Sequence, residues 1–411
     1  MKIAIIGAGA AGCFCAVNLK RLAPAADVTV FEAQPSPLRK VAVTGGGRCN
    51  LTNTFARVER LAAVYPRGER LMRRMLSAFD SAAACRWFET EGIALTVQDD
   101  QCVFPASQDA MEIVRTLTRL MRRLDVSVRC GIRVSRIEAL DGCYHIHFEK
   151  EAAPFEADAV VVTSGGSPRP EGFAMLNGLG LEIVPPVPSL FALNVPDADL
   201  HARTGLVVER ASVGLCGTNF RGSGPLLITH FGFSGPAAIK LSAHAARHLA
   251  DHAYGGRLSV NWLGDADEAE ARRRLQALSA CNPRKAVATV GPEELPSRLW
   301  ELLLMRAGLR PDVRWSELGT KSLNRMAGLL IHDEYELRGK NRFKEEFVTC
   351  GGVALSNLSL NTLECRKHPG LFFAGEVLDV DGVTGGFNLQ AAWSMGHAAA
   401  RAIAAKEPQC S

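Results

Sequence analysis

The stretch KIAIIGAGAAGCFCAVNL, residues 2–19, decides the fold of this chain. A short apolar run rich in β-branched residues is followed by a glycine-rich turn and a helical pattern, which predicts a strand, a tight turn and a helix. Gly7, Gly9 and Gly12 fit the G-x-G-x-x-G spacing of a dinucleotide-binding turn. The first glycine permits the turn, the second lets a pyrophosphate reach the backbone, and the third allows the helix to pack closely on the strand. Free N–H groups at the helix N-terminus would then bind phosphate.

A second predicted strand, VTVFEA at 28–33, supports the same interpretation. It ends in Glu32, about 20 residues beyond the glycine motif, where an acidic residue binds a ribose hydroxyl in dinucleotide-binding folds. An acidic residue at this position disfavours a 2′-phosphate. The expected ligand is therefore FAD or NAD rather than NADP.

The composition is that of a folded globular protein. Of 411 residues, 47% are hydrophobic and 22% are charged, and the net charge of +4 comes from basic residues scattered along the chain, so the charge does not point to nucleic acid. The twelve cysteines form no C-x-x-C pair and no zinc-like cluster, so we expect reduced thiols, no metal site and a cytoplasmic location. No segment has the ~20 uninterrupted apolar residues of a membrane-spanning helix. The length predicts two or three domains.

Near the C-terminus, another glycine-rich connection joins a predicted strand to a predicted helix. GLFFAGE at 370–376 is an apolar strand ending in Gly375 and Glu376, and an alanine-rich helix is predicted from Phe387 onward, after a Gly-Gly pair. In a flavoprotein, the positive end of such a helix can face the pyrimidine edge of the isoalloxazine ring and stabilise the negative charge of the reduced ring. Glu376 would then bind a ribityl hydroxyl.

Two further glycine-containing stretches lie between these ends. VAVTGGGRCNLTN at 41–53 is predicted to be a surface loop, in which three consecutive glycines indicate that a ligand comes close to the backbone. AVVVTSGGSPRP at 159–170 is predicted to be a buried strand ending in Ser164, Gly165 and Gly166, where the chain can again approach a cofactor.

Several motifs together resemble one family of bacterial flavoproteins, which includes aminoacetone oxidase and the BaiN and YhiN proteins. Besides the glycine motif at 7–12, the motifs are TGGGRCNLTN at 44–53, VFPAS at 103–107, THFGFSGPA at 229–237, CGGVAL at 350–355 and GEVLDVDGVTGGFNLQAAWSMG at 375–396. They extend over nearly the whole chain. The resemblance implies an α/β fold with a discontinuous, glutathione-reductase-like Rossmann domain that binds FAD non-covalently, into which a small β-barrel and a helical subdomain are inserted.

The resemblance also assigns residues to the parts of FAD. The ADP half would be bound by Gly7, Gly9, Ala11, Gly12 and Glu32, with Val134 near the adenine. The diphosphate and flavin side would be lined by Lys40, Thr44, Gly45, Gly46, Gly47, Arg48 and Asn50. The ribitol and ring would be enclosed by Gly375, Glu376, Gly386, Phe387, Asn388 and Leu389. The glycines at 45–47 are then explained by FAD lying against their backbone, and Arg48 can neutralise phosphate or reduced-flavin charge.

The middle of the chain predicts the inserted parts. The prolines of VPPVPSL at 184–190 indicate a boundary. Beyond it, short strands separated by glycine turns predict the barrel, and helical periods starting at 265, 296 and 322 predict the helical piece. The predicted domains are an FAD-binding domain at 1–190 and 351–411, a β-barrel-like insert at 191–262 and 334–350, and a helical subdomain at 263–333.

The sequence leaves the catalytic residues open, with Cys49 and His230 as candidates. Flavin disulfide reductases carry C-x-x-x-x-C beside the flavin, but the fifth residue after Cys49 is Thr54, so Cys49 fits a packing role better than a dithiol mechanism. His230 is predicted either to project from the barrel toward the flavin or to be a structural histidine bonded to backbone. Because flavin itself carries the hydride chemistry, the protein needs only to orient the substrate and tune the ring.

We therefore predict an FAD-dependent oxidoreductase that transfers hydride at flavin N5 with a small carbonyl, amine or enone substrate. Because the chain has one G-x-G-x-x-G motif, NAD(P)H would bind transiently as electron donor, or O2 would reoxidise the flavin. One alternative is an RNA-associated flavoprotein, since tRNA-modifying enzymes share this fold and the chain contains basic RRRLQ at 272–276 and NPRK at 282–285. The other is a flavin-binding protein without turnover. The sequence decides neither the physiological substrate nor the oligomeric state.

Overall fold

The computed structural model of the chain describes residues 1–140, 142–151, 153–167, 169–339 and 348–406. The chain divides into two compact units, the first formed by Met1–Val187 with Val348–Ser411 and the second by Pro188–Phe347. Residues 340–347 of the predicted barrel insert and 407–411 of the predicted FAD domain lie outside the described residues. The three-domain boundaries stay a prediction.

The elements are numbered here in chain order. The N-terminal part of the first unit contains β1 (Lys2–Ile6), α1 (Ala10–Leu22), β2 (Asp27–Glu32), α2 (Arg39–Gly47), β3 (Thr52–Asn53), α3 (Leu61–Val64), α4 (Glu69–Ala78), α5 (Ser81–Thr90), β4 (Leu95–Val97), β5 (Cys102–Pro105), α6 (Ala110–Arg123), β6 (Ser127–Cys130), β7 (Val134–Leu140), β8 (Cys143–Phe148), β9 (Phe155–Ala157), β10 (Ala159–Val162) and β11 (Ile183–Ser189). The second unit contains β12 (Leu193–Asn194), α7 (Ala198–His201), β13 (Val207–Leu215), β14 (Arg221–Thr229), β15 (Gly232–Ser234), α8 (Gly235–His244), α9 (Ala246–Asp251), β16 (Gly255–Asn261), α10 (Glu268–Cys281), α11 (Ser297–Arg306), α12 (Thr320–Ile331) and β17 (Asp333–Arg338). The C-terminal part of the first unit contains β18 (Val348–Val353), β19 (Leu371–Phe373) and α13 (Phe387–Ala404).

A five-stranded parallel sheet forms the centre of the first unit, in the order β19-β10-β1-β2-β6. Its inner strands are continuous apolar runs because both faces of the sheet are buried. On one face, Phe31 of β2 packs against Phe148 of β8 and Phe155 of β9, with ring centroids 5.0 Å apart in each pair. The carboxyl ends of β1, β10 and β19 meet at one edge, where ligands bind in open α/β sheets. The three glycine-rich turns that follow these strands are therefore brought together. The predicted Rossmann fold is confirmed.

Smaller sheets complete the first unit. β7, β8 and β9 form an antiparallel sheet, β3, β5 and β4 form another, and β11 pairs with β18. Most of the proline-rich stretch predicted to be a boundary, 184–190, lies in strand β11, and the division between the two units falls within it. Proline lacks the N–H group of a sheet ladder, so prolines are placed in edge strands, and β11 has a single partner strand in its two-stranded sheet among the described residues.

In the second unit, a six-stranded sheet is nearly closed into a barrel, in the order β12-β15-β14-β13-β16-β17. The Asn194 side chain, on the first strand of that order, donates to the Arg338 carbonyl on the last strand at 2.7 Å. One hydrophobic cluster joins barrel residues such as Trp262 to helix residues such as Trp300. The predicted barrel is confirmed, whereas helix α8 was not predicted from the sequence.

A buried polar cluster lies at one end of this core. The Asp333 carboxylate is fully buried and accepts hydrogen bonds from Trp262 Nε1 at 3.0 Å and the Tyr335 hydroxyl at 2.5 Å. Its other oxygen lies 3.0 Å from Arg306 Nη2. Burial raises the pKa of Asp333, although the charge of Arg306 and the two hydrogen bonds act in the opposite direction. Arg306 therefore compensates a buried negative charge.

We predict that Arg306→Gln lowers the free energy of unfolding by about 3 kcal/mol near neutral pH, because it leaves a buried carboxylate without its cation. The substitution raises the folded-state pKa of Asp333 further. The penalty is present above that pKa and is relieved as the pH falls through it. Urea denaturation of both proteins should give a smaller difference at about pH 5 than at about pH 8.

The control is Arg310→Gln, which removes an exposed ion pair with Asp312 and should change stability by less than about 1 kcal/mol. An Arg306→Gln difference that stays constant with pH would contradict the assignment of the effect to Asp333.

Candidate functional site

Three glycines lie in the turn between β1 and α1 and in the first turn of α1. Gly7 has φ +108°, and a Cβ atom there would lie 2.4 Å from the Thr163 carbonyl oxygen. A Cβ atom on Gly12 would lie 2.0 Å from the Gly7 oxygen. Gly9 differs, because no atom of the described chain lies within 4 Å of its Cβ position. Packing therefore requires Gly7 and Gly12, and Gly9 faces open space at the N-terminus of α1.

Glu32, at the end of β2, is held beside this turn. Its carboxylate accepts hydrogen bonds from the backbone N–H groups of Ala8 and Gln34, both at 2.8 Å. The Ile132 N–H donates to the Glu32 carbonyl at 2.9 Å, which brings the chain just before Val134 to the same end of the sheet. A carboxylate with two fixed bonds keeps lone pairs for a further donor such as a ribose hydroxyl.

The first residues of the stretch predicted to be a surface loop, 41–43, belong to helix α2. The chain leaves helical geometry at Thr44, just before the three consecutive glycines. Gly45, Gly46 and Gly47 follow with φ of +59°, +69° and +82°, a region that favours glycine. Cβ atoms on Gly46 and Gly47 would meet no described atom within 4 Å. Two of the three glycines thus present bare backbone to open space.

Arg48 and Cys49 follow the glycines and have opposite environments. The exposed Arg48 guanidinium lies 4.5 Å from the centre of the Phe104 ring, and its Nε donates to the Gly45 carbonyl at 3.1 Å. Cys49 is buried, and burial raises the pKa of its thiol to about 12 despite a hydrogen bond with Thr44. A protonated thiol is a poor nucleophile, so this environment favours packing over redox chemistry for Cys49.

His230, the other catalytic candidate, lies in the second unit. It is exposed in the turn between β14 and β15. Its ring meets Phe231 edge-on, with centroids 5.0 Å apart. A catalytic role for His230 stays a prediction.

A second acidic residue lies at the ends of β10 and β19. Glu376 Oε1 accepts the Thr349 N–H at 2.9 Å, and Oε2 lies 3.3 Å from Lys40 Nζ. A Cβ atom on Gly166 would lie 2.5 Å from Glu376 Oε1, whereas the Cβ position of Gly165 is open among the described residues. Ser164 precedes this glycine pair and Gly375 precedes the acid, so the predicted residues of these two strand ends come together with Lys40.

The N-terminus of α13 is fixed by backbone contacts that only glycine permits. Gly386 has φ +86°, and a Cβ atom there would lie 2.4 Å from the Thr52 carbonyl oxygen. In the orientation that satisfies its neighbours, the Asn50 amide accepts from the Gly386 N–H at 3.2 Å and donates to the Thr52 carbonyl at 3.0 Å. The Tyr65 hydroxyl donates to the Phe387 carbonyl at 2.9 Å.

The next residues of α13 continue the site. Asn388 exchanges two hydrogen bonds with the backbone of Gly382, both at 2.8 Å. Leu389 is partly exposed in the first turn of the helix. Both helices, α1 and α13, lie within the described residues, and their first turns contain no acidic side chain. No acidic side chain in the first turn of either helix therefore offsets the positive end of its helix dipole.

A buried polar network behind this helix was not predicted from the sequence. The Gln390 amide accepts from the Thr52 hydroxyl at 2.6 Å and donates to the Ser394 hydroxyl at 2.9 Å. The Trp393 indole donates to the Leu51 carbonyl at 3.0 Å. The available signal in the sequence was the spacing of Gln390 and Ser394, four positions apart in a predicted helix rich in alanine, because buried polar side chains require partners.

These residues fit a dinucleotide with a flavin. Two helix N-termini, two fixed carboxylates and the open glycine backbone at 9, 46, 47 and 165 belong to the described part of one unit. We call this set of groups the cradle. It suits a ligand that contains phosphate and lies close to the protein main chain. The assignment of single residues to parts of FAD stays a prediction.

Comparisons with known proteins agree with this class of site. The sequence profile of the family described as HI0933-like protein Rossmann domain matches residues 1–402. The chain belongs to this family, which is the family of flavin-dependent oxidoreductases that its motifs resembled. Among the described residues, no helix is both long and apolar enough to cross a membrane.

Two curated relatives are similar along their whole length. A protein of Clostridium scindens named 3-dehydro-bile acid delta(4,6)-reductase is 28% identical, with 98% of this chain and 99% of the relative covered. A protein of Escherichia coli K12 named ribosomal RNA dihydrouridine synthase is 30% identical, with 98% of each covered. A mutant FrdA of E. coli quinol fumarate reductase shares the fold with a TM-score of 0.52 and 17% identity over 99% of this chain and 71% of that one.

We predict that Glu32→Gln weakens FAD binding about tenfold or more, because the ribose hydroxyl loses a charged acceptor. Quenching of FAD fluorescence on titration with apoprotein measures the dissociation constant. Asp27→Asn, at the exposed start of the same strand, should leave it unchanged. Equal affinity of Glu32→Gln and the unaltered protein would refute the assignment of Glu32 to the ribose.

We also predict that Gly386→Ala abolishes stable FAD binding, because the added Cβ atom displaces the N-terminus of α13 from Thr52. Gly328→Ala is the matched control, since no described atom lies within 4 Å of its Cβ position in helix α12, and alanine in a helix interior is favoured over glycine by about 1 kcal/mol. Gel filtration with absorbance at the flavin wavelength measures retained FAD. A yellow Gly386→Ala protein would contradict the prediction.

Proposed function

We propose that this protein is an FAD-dependent reductase that saturates a carbon–carbon double bond conjugated to a carbonyl group. The observation that carries the proposal is the cradle of bare backbone at the sheet edge, which suits FAD. The reaction class is suggested by the relatives. Reduction of a steroid Δ4 bond beside a 3-oxo group and formation of dihydrouridine both add two hydrogens across a bond conjugated to a carbonyl.

The chain offers a distinct group for each part of the cofactor. Glu32 would bind the adenosine ribose, and the N-terminus of α1 at Gly9 would bind the pyrophosphate. Glu376 would bind a ribityl hydroxyl, and the N-terminus of α13 would stabilise negative charge at the pyrimidine edge. When bound and reduced by NAD(P)H, FAD would supply the hydride at N5.

Positive charge beside the glycine turn supports this reaction class. Lys40 and Arg48 flank the turn in sequence, and the Arg48 guanidinium is held on the Phe104 ring. As a conjugated double bond is reduced, the carbonyl oxygen gains negative charge, which a nearby cation or N–H donor stabilises. The electron donor in this proposal is NAD(P)H. All cysteines in the described ranges are free thiols, which supports the proposed cytoplasmic location.

The substrate in this proposal is a small enone, and a uracil ring in RNA is the second candidate. The names of the E. coli relative and of a 27% identical protein of Haemophilus influenzae, both called ribosomal RNA dihydrouridine synthase, favour the second. Arg57, Arg60 and Arg70 are exposed and have no ion-pair partner among the described residues, as phosphate-binding side chains would be. Both candidate substrates would undergo the same reduction. They differ in the protein surface that each substrate would contact.

The proposal is tested by anaerobic stopped-flow spectroscopy. NADH or NADPH should bleach the flavin absorbance, and 2-cyclohexen-1-one should restore it while gaining two hydrogens. The saturated ketone cyclohexanone is the matched control and should leave the flavin reduced. For the second candidate, a uridine-containing rRNA fragment should restore the absorbance, with binding that weakens steeply as salt increases.

Two outcomes would contradict the proposal. Flavin that is reduced by an amine and reoxidised by O2 but by neither enone nor RNA would identify an oxidase. Flavin that no donor reduces would indicate a binding protein without turnover.

A further inference from the structure

A buried ion pair joins two distant segments of the first unit directly in front of helix α13. Arg67 Nε donates to Asp381 Oδ1 at 2.6 Å, and Arg67 Nη2 donates to Asp381 Oδ2. Asp381 is fully buried and the Arg67 side chain is 13% exposed. The backbones of the same two residues form an isolated antiparallel bridge. The two segments are therefore joined to each other through both their main chains and their side chains.

The two parallel hydrogen bonds make the contact between Arg67 and Asp381 directional. Arginine and carboxylate in this arrangement define both distance and orientation, which a single-point contact does not. Burial by itself lowers the pKa of Arg67, but the hydrogen bond and charge of Asp381 outweigh it, so the pKa is raised. A buried pair of this kind adds little stability over apolar residues of the same size. Its clearest contribution is therefore to geometry.

The contacts around the pair show what this geometry controls. A Cβ atom on Gly68 would lie 2.5 Å from a Val380 methyl group, so the residues on either side of the pair are in tight contact. The Val383 N–H donates to the Val64 carbonyl at 2.9 Å. The Asn53 amide donates to the Gly385 carbonyl at 3.1 Å. From the ion pair to the Gly385–Gly386 turn, the segment is thus anchored to residues 53–68.

We infer that Arg67 and Asp381 are positioning residues, which set where the N-terminus of α13 lies against the flavin. The inference rests on the proposed FAD site. Neither side chain needs to touch the cofactor. Their effect passes through residues 382–386 to the helix N–H groups, whose distance from the ring decides how strongly reduced flavin is stabilised.

The test separates positioning from simple structural support. Asp381→Asn retains the size and shape of the side chain but loses its charge and one hydrogen-bond acceptor. Arg67→Lys retains the positive charge but loses the second of the two parallel hydrogen bonds. We expect the FAD dissociation constant to rise about tenfold for Asp381→Asn and less for Arg67→Lys. We also expect the midpoint potential of bound FAD, measured against a reference dye, to become more negative in both variants.

A double variant covers the case in which the single variants unfold. Arg67→Met with Asp381→Leu replaces the pair by apolar side chains, for which the melting temperature should be retained or increased. FAD affinity and potential should still shift, because the directional bonds are gone. The control is Glu69→Gln, which breaks the exposed pair with Arg73 in the adjacent helix and should alter neither property.

The outcomes are decisive in both directions. Variants that lose melting temperature while FAD affinity and potential stay unchanged would overturn the inference and leave only a structural role. Failure of the unaltered protein to bind FAD would instead overturn the proposed function, and it is measured first with the same fluorescence titration.

Discussion

The close approach of helices α1 and α13 is the constraint on which the first unit depends. A Cβ atom on Gly396 would lie 2.7 Å from the Ala11 carbonyl oxygen, and one on Gly375 would lie 2.9 Å from the Ala11 methyl group. Backbones can meet at this distance only where side chains are absent. Helices α1 and α13 are thereby held together within the first unit, with Gly396 in the middle of α13 packed against the first turn of α1.

The glycines of the first unit fall into two groups, according to whether a side chain there would meet neighbouring atoms. At positions such as Gly7 and Gly12, a side chain would collide with neighbouring backbone. At Gly46 and Gly165 the backbone has positive φ but the space beside it is open. The first group allows the fold to close. Gly92 and Gly131 of the same unit are equally open, so openness alone does not assign a ligand. We connect Gly165 with a cofactor because it follows β10 at the carboxyl edge of the parallel sheet, and Gly46 because it lies in the TGGGRCN motif.

The sequence predicted the parts of this site that depend on local patterns. The glycine spacing and Glu32 lie within one strand-turn-helix-strand unit, so their positions follow from short-range geometry. The Arg67–Asp381 pair joins residues 314 positions apart, and no periodicity indicates such a contact. Helix α8 was missed because its ten residues lie between strands and include glycine, proline and serine. Residues 41–43 lie in α2 but were predicted as loop, because the glycines that follow them favour a turn.

We propose that backbone from both ends of the chain binds one FAD molecule. The decisive measurement is to purify the protein without added cofactor, release any bound pigment with acid and identify it by chromatography and mass spectrometry. We expect FAD, close to one per chain and released without covalent attachment. Folded protein that is colourless and takes up no FAD on incubation would contradict it.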